Sequence, residues 1–323
     1  MPEPLPPCEP GGPDPAAVAA SIHGWITSPA MRELVGHFGG GDLTAGPTGD
    51  TLDRVAQFCT VWDFRAGTKE RFDTARVGYG PGLDEQIRAL IHALGLGGTA
   101  PRHDRYDHVV ILGGGIRVTL GRVDYAARLL RGGVRAGTVA GLGSLRHRDD
   151  REHREGIRLG LGPLETEADM MTAALRRFLD LPEPVKTRSG DGWWHQSWAQ
   201  PAVHVLAAAS TRLPLRASTA CTLLGWAEHI HTPTPADRVL LVTNDPYVRH
   251  QHCDAVRLLG RPYGCGIETV GFDDLAMTEW GRPLATTELL QEVRSSILAM
   301  RNLYQATQQA KSGPDNVLRR ADT

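Results

Sequence analysis

The chain has 323 residues, enough to bury a large core in one α/β body or in a domain with an appendage. Its 35 basic and 37 acidic residues give a formal charge of -2, which removes any global case for nucleic acid or an anionic membrane as a partner. Cys8, Cys59, Cys221, Cys253 and Cys265 stand far apart with no CxxC spacing, so neither a zinc knuckle nor a disulfide scaffold is expected and a reducing cytoplasm is the simplest home.

The opening residues 1–15, MPEPLPPCEPGGPDP, lack the basic start and apolar core of an export signal. Dense in Pro and Gly, they read as a disordered tail. No stretch approaches the roughly 18 apolar residues that cross a bilayer. Residues 16–100 read as a helical segment. Val18, Ile22, Trp25 and Ile26 make one apolar stripe, Leu52, Val55, Phe58 and Trp62 a second, and Leu83, Ile87, Leu90, Ile91 and Leu94 a third. The mixed-charge stretch 63–80 between the last two reads as a solvated connection.

Residues 101–275 carry the expected Rossmann-like domain. Val109 to Leu112 form a short apolar run that stops at Gly113, Gly114 and Gly115, which is how a buried parallel strand feeding a ligand-facing turn looks. Glycine there permits positive φ and close approach of a ligand to the backbone. Arg117, Thr119 and Arg122 follow, and a helical pattern begins near Val123. A second strand, 137–140, ends in the turn Gly141-Leu142-Gly143-Ser144. Strand, helix and strand within about thirty residues is the crossover unit of a parallel sheet.

The charged run 146–158 reads as a solvated insertion rather than a lid, and Glu165-Thr166-Glu167 opens a helix with an apolar face of Met170, Met171, Ala174, Leu175 and Phe178. Trp193, Trp194 and Trp198 stand in a polar context within 186–200. That stretch is either a recognition loop or a hairpin pinned by its rings. A third strand at 202–208 runs into Ser210-Thr211, and a helix opens near Arg216. A fourth at 238–243 runs into Thr243, Asn244 and Asp245 and then a helix carrying Arg249, and a short fifth follows at 267–271. Residues 276–323 supply a long amphipathic helix, 288–309, and a polar tail. The alternation predicts a Rossmann-like doubly wound, mostly parallel α/β sheet with an N-terminal helical extension and a long C-terminal helix.

Several of these segments, VVILGGG, RVTLGRVDYAARLL, AGLG, Glu167-Ala168, STRLPLRA and VTNDPYVRH, resemble in order the YdcF/SanA/ElyC-like family, the domain-of-unknown-function family numbered 218. The correspondence spans roughly 106–271. It implies a pocket at the strand ends and, through the soluble YdcF branch, S-adenosylmethionine binding. Where that family has Glu-Asn ahead of Ala, this chain has Leu215-Arg216, so the roles of that carboxylate and amide do not transfer.

Carboxyl ends of neighbouring parallel strands face one crevice. The expected ligand-binding set there is Gly113, Gly114, Gly115, Arg117, Thr119, Arg122, Gly141, Gly143, Ser144, Ser210, Thr211, Arg216, Thr243, Asn244 and Arg249. Glu167 and Asp245 are the expected acid-base residues. Backbone amides and guanidinium groups suit phosphate or carboxylate. The expected partner is therefore a small anionic or nucleotide-like ligand, and a homo-oligomer stays open. Each arginine taken alone fits a surface ion pair equally well. The pairs His229/His231 and His250/His252 fall on or beside helices, where that spacing splays two side chains by about 200°, so no metal site is expected. Two classes of function remain: an enzyme acting on the small molecule, and a non-catalytic sensor or partner-binding module.

Overall fold

The computed structural model describes residues 3–64, 77–96, 100–210, 217–272, 279–281 and 283–309. Asp14 accepts from the Ala16 and Ala17 amides and Pro15 occupies the first helical position, so α1 (Pro15–Ile26) starts there. Ser28 caps α2 (Pro29–His37) in the same way. With α3 (Thr48–Phe58) and α4 (Pro81–Ala93) these helices bury Ile22, Trp25, Leu34, Val55 and Ile87 against one another and against the sheet. The expected solvated connection falls largely on residues outside those described.

Among the described residues the sheet has seven strands: β1 (Arg105–Leu112), β2 (Arg135–Ser144), β3 (Lys186–Gly190), β4 (Trp193–Trp198), β5 (Val203–Ala208), β6 (Arg238–Asn244) and β7 (Gly266–Phe272). Their order is β3-β4-β5-β2-β1-β6-β7. The five strands from β5 to β7 are parallel, and β3 and β4 add an antiparallel hairpin at one edge. The predicted doubly wound α/β sheet is therefore present, with helices at the N-terminus and a long C-terminal helix. Successive strand residues face opposite layers. Val109, Ile111, Leu240 and Val242 pack with α5 (Ile116–Arg131) and α7 (Glu167–Leu179). Val110, Leu112, Val239 and Leu241 pack with the N-terminal helices, α8 (Thr219–His229), α9 (Val248–Ala255) and the later α11 (Thr286–Gln308). The described residues also hold α6 (Asp150–Arg158), and α10 (Arg261–Tyr263) after one π-helical turn, Val256–Gly260.

Two expectations are settled by packing. The tryptophan-rich stretch is a hairpin, because Trp198 is buried with its indole donating to the Pro182 carbonyl at 2.9 Å and Trp193 stacks on His229 at 4.1 Å. The disordered tail is a correction, for residues 3–14 lie along the outer edge of β7. Ile267 donates its amide to Cys8 O at 2.8 Å, and Gly11 donates to Pro235 O at 2.9 Å. Proline lacks a donor but keeps its carbonyl, and here Pro4 and Pro6 accept from Arg249 and His252, two buried side chains that need acceptors. This cover also removes an exposed sheet edge.

Candidate functional site

After β1 the chain leaves to β2 on one side, and it returns to β6 on the other, so the sheet's order reverses between β1 and β6. Open parallel sheets hold their ligands at that point, beyond the carboxyl ends of the strands. A cleft of about 650 Å³ lies there. One corner is Gly113–Gly115, from which α5 departs with no side-chain cap, so its first-turn amides point toward the cleft. None of the three glycines has positive φ. They are small because neighbours come close: a methyl group on Gly113 would stand 2.5 Å from Glu167 Oε1.

Arg122, about two α5 turns further on and 1 % exposed, reaches back beneath the corner. Its Nε donates to Asn244 Oδ1 at 2.9 Å, and its Nη1 donates to Leu112 O at 3.0 Å and to Gly113 O. Asn244 in turn donates to Asp245 O at 2.9 Å. The guanidinium thus ties the end of β1 to the end of β6. On the β2 side of the same corner Ser144, the last residue of β2, donates its hydroxyl to Glu167 Oε2 at 2.6 Å. Glu167 is the first residue of α7, placed there by the capping box of Thr166 and Asp169. Arg146 Nε lies 3.6 Å from the same carboxylate oxygen, and its two Nη atoms clasp Glu152 at 2.7 and 2.9 Å.

Arg117 reaches Glu155 at 2.9 Å and the Glu279 carbonyl at 2.6 Å. The hydrogen bond from Arg158 is the main reason that the Glu155 carboxyl is held below its ordinary range, with Arg117 adding to it against the effect of burial. From the far side α11 contributes Glu288 and Glu292, the latter 3.6 Å from His250 Nδ1. Tyr247, Phe272 and Trp280 supply aromatic surface. Among the described lining residues, the four arginines 117, 122, 146 and 151 meet six carboxylates: Asp149, Glu152, Glu155, Glu167, Glu288 and Glu292. The walls are of mixed sign rather than simply basic.

Of the expected residues, the fold brings Gly113, Gly114, Gly115, Arg117, Arg122, Ser144, Glu167 and Asn244 to this cleft. Others do not line it. Thr119 donates to Gly114 O at 3.0 Å and supports the corner from below, and Thr243 donates to Gln251 at 2.5 Å inside the protein. Gly141 lies against Met171 and Leu175, and Gly143 against Ala168, so both serve the seating of α7 on β2. Asp245 is buried at the turn with its amide donating to Phe272 O at 3.0 Å, and Ser210 also stands off the lining. Arg249 is the plainest correction. It is buried on the far side of α9, donating to Pro4 O at 3.0 Å and to Glu3 O, and burial pulls its guanidinium down to about 10. Thr211 and Arg216 lie outside the described residues.

Arg146, Arg151, Glu152 and Glu155 also line the cleft, although the run 146–158 reads from sequence as a solvated insertion. The signal was present: Asp149 and Glu152 form a capping box, which fixes a helix start close behind β2. Glu288 and Glu292 carried no such mark.

The fold defines an α/β protein with an open, mostly parallel sheet and a cleft of polar and aromatic lining at its carboxyl edge. Residues 9–95, which run from the edge segment through α4, match the family model described as the Rv3785 N-terminal domain. Over 344 aligned residues the chain is 31 % identical to "Uncharacterized protein Rv3785" of Mycobacterium tuberculosis (strain ATCC 25618 / H37Rv), with 92 % of each chain covered. The same values hold for "Uncharacterized protein Mb3814" of Mycobacterium bovis (strain ATCC BAA-935 / AF2122/97). The chain belongs to the Rv3785 family. No solved structure matches it.

This membership corrects the resemblance to the YdcF/SanA/ElyC-like family. The shared features, an apolar strand into glycines, a Gly-rich second turn and polar strand ends, are what any doubly wound sheet requires at its carboxyl edge. The S-adenosylmethionine expectation rested on that resemblance and goes with it. No helix among the described residues is long and apolar enough to cross a membrane.

Proposed function

We propose that the cleft is the active site of an enzyme acting on a small anionic metabolite, nucleotide-like molecules included, that also carries hydroxyl or amino groups. The anionic end sits on the first amides of α5 at Gly113–Gly115, where the helix dipole and unpaired N–H groups favour negative charge. The carboxylates of α6 and α11 accept from the donor groups at the other end. A volume of about 650 Å³ suits a ligand of that size.

The reading rests chiefly on one observation, the 2.6 Å hydrogen bond from Ser144 to Glu167 in a cleft that also holds the amide-rich corner. A carboxylate already accepting from a hydroxyl beside a binding corner is set up to take a proton from a ligand or from Ser144 itself. Arg146 Nε stands 3.6 Å from that carboxylate and ties it to the neighbouring Glu152. All five cysteines are buried free thiols, which suits a cytoplasmic setting for this chemistry.

The test is a thermal-shift screen of phosphorylated and carboxylated metabolites, followed by mass spectrometry of the compounds that bind. Free ligand at a hundred times its Kd adds about 2.7 kcal/mol to native stability, an easily read shift. We expect such compounds to raise the Tm of wild type and of Glu167→Gln alike, and only wild type to convert them. If none shifts the wild type, or if Glu167→Gln converts them at the wild-type rate, the proposal fails. Binding without conversion by wild type would mark a sensor instead.

A further inference from the structure

At the opposite, amino-terminal end of the sheet, about 13 Å along β1 from the cleft, three potential metal ligands converge. His108 stands in β1, and His231 and Asp237 stand at the two ends of the connection from α8 to β6. Their ligand atoms lie within 4.8 Å of one another. His231 Nε2 is 2.9 Å and His108 Nε2 is 3.9 Å from Asp237 Oδ2, and the two imidazole centroids are 4.0 Å apart. Around a tetrahedral zinc ion with bonds of 2.0–2.1 Å, ligand atoms stand roughly 3.4 Å apart, so the two observed spacings straddle what the ion requires.

A second observation points to a ligand. His108 is only 5 % exposed, and its Nε2, aimed at Asp237, has no hydrogen-bond partner among the described residues. A buried polar atom calls for a partner, and this one faces the two other potential ligand atoms. The ring is held from behind, with Nδ1 2.8 Å from Thr138 Oγ1. With the proton on Nδ1 donated to that hydroxyl, Nε2 presents its lone pair to the cluster, the arrangement that orients metal-binding histidines. Asp237 is fixed by the Thr234 amide at 2.7 Å, and the buried Trp226 ring, 5.4 Å from His108, forms an apolar wall. The side chains of His231 and Asp237 are 36 % and 15 % exposed, which leaves an entry path.

We propose that His108 Nε2, His231 Nε2 and Asp237 Oδ2 bind one divalent transition-metal ion, with zinc the best match and water in the fourth position. Two imidazoles with one carboxylate suit zinc over magnesium, which prefers all-oxygen coordination. On binding, the ion takes the place of the proton that His231 Nε2 now shares with Asp237, and that proton leaves to solvent. The ion then clamps the α8–β6 connection to β1, which is a site separate from the cleft.

The experiment uses tag-free full-length protein stripped with a chelator, then dialysed against excess zinc and assayed for bound metal, with cobalt as a spectroscopic probe. We expect one zinc per chain, intense cobalt visible bands typical of four-coordination, and no magnesium uptake. His231→Ala, partly exposed and so expected to fold, should weaken zinc binding at least tenfold, as should Asp237→Asn, while His229→Ala two residues away keeps it. The proposal is overturned if folded wild type takes up no stoichiometric zinc, if it takes magnesium equally well, or if His231→Ala and Asp237→Asn bind zinc as wild type does.

Discussion

Arg122 Nε donates to Asn244 Oδ1 at 2.9 Å, joining the ends of β1 and β6 where the sheet's order reverses. The same guanidinium accepts no solvent role, because it also donates to the carbonyls of Leu112 and Gly113. It is a strut of the cleft rather than a hand extended into it. Arg122→Ala strands those buried acceptors, and we expect a loss of about 2–4 kcal/mol in urea unfolding. Arg122→Lys should recover little of it, since one ammonium cannot reproduce a planar fork. A neutral result for Arg122→Ala would remove it from the framework of the site.

Gly113 and Gly114 are neighbours with different surroundings. A Cβ on Gly113 meets Glu167 Oε1 at 2.5 Å and crowds the Leu142 carbonyl, whereas on Gly114 the first contact is the Val118 side chain at 3.1 Å. Gly113→Ala should therefore cost on the order of 2 kcal/mol more than Gly114→Ala and should displace Glu167. Equal unfolding midpoints for the two variants would show that the corner yields more easily than its spacing implies.

His252 is buried and neutral. Burial, with Arg249 nearby working in the same direction against the Pro6 hydrogen bond, pulls its imidazole down to about 4. The unfolded chain takes up a proton near pH 6.5 and the folded chain does not until about pH 4, so stability is present above 6.5 and is lost as pH falls through that window. The contribution is on the order of 3 kcal/mol. A His252→Gln variant should show a correspondingly shallower fall in stability between pH 6.5 and 4. An unchanged acid profile would mean that His252 is not protonated on unfolding.

Glu3, Pro4 and Pro6 supply the carbonyls for Arg249 and His252. Removing residues 2–8 leaves a buried guanidinium without acceptors, and we expect a loss of about 3–5 kcal/mol. Arg249→Met in the shortened chain should regain part of it. If the shortened chain is as stable as the full one, the edge segment is only draped on β7.

Much of the architecture was legible because burial on both faces of a parallel sheet writes continuous apolar runs, as at Val109–Leu112, and because a strand that must turn at once into a helix ends in glycine. Ser144 and Asn244 followed from being polar residues at strand ends, and Arg122 and Glu167 from standing in the helices α5 and α7 that pack behind those ends. Arg249 misled because helical phase outweighs proximity to the strand end. It lies two residues before Gln251, about 200° around the helix, and it is Gln251 that lines the cleft. Glu288 and Glu292 were out of reach, since α11 joins the site only through tertiary packing more than a hundred residues beyond β2. The trio His108, His231 and Asp237 escaped for the same reason: a search by spacing pairs near neighbours, and a strand residue paired with a distant loop has no spacing to find.

The cleft itself is tested most directly by a crystal structure of the full-length protein with a compound that raises its Tm. The bound molecule should place its anionic group within about 3 Å of the first α5 amides and a hydroxyl or amino group within hydrogen-bond reach of Glu167. A compound found elsewhere on the protein, or a cleft without it at saturating concentration, would contradict the assignment.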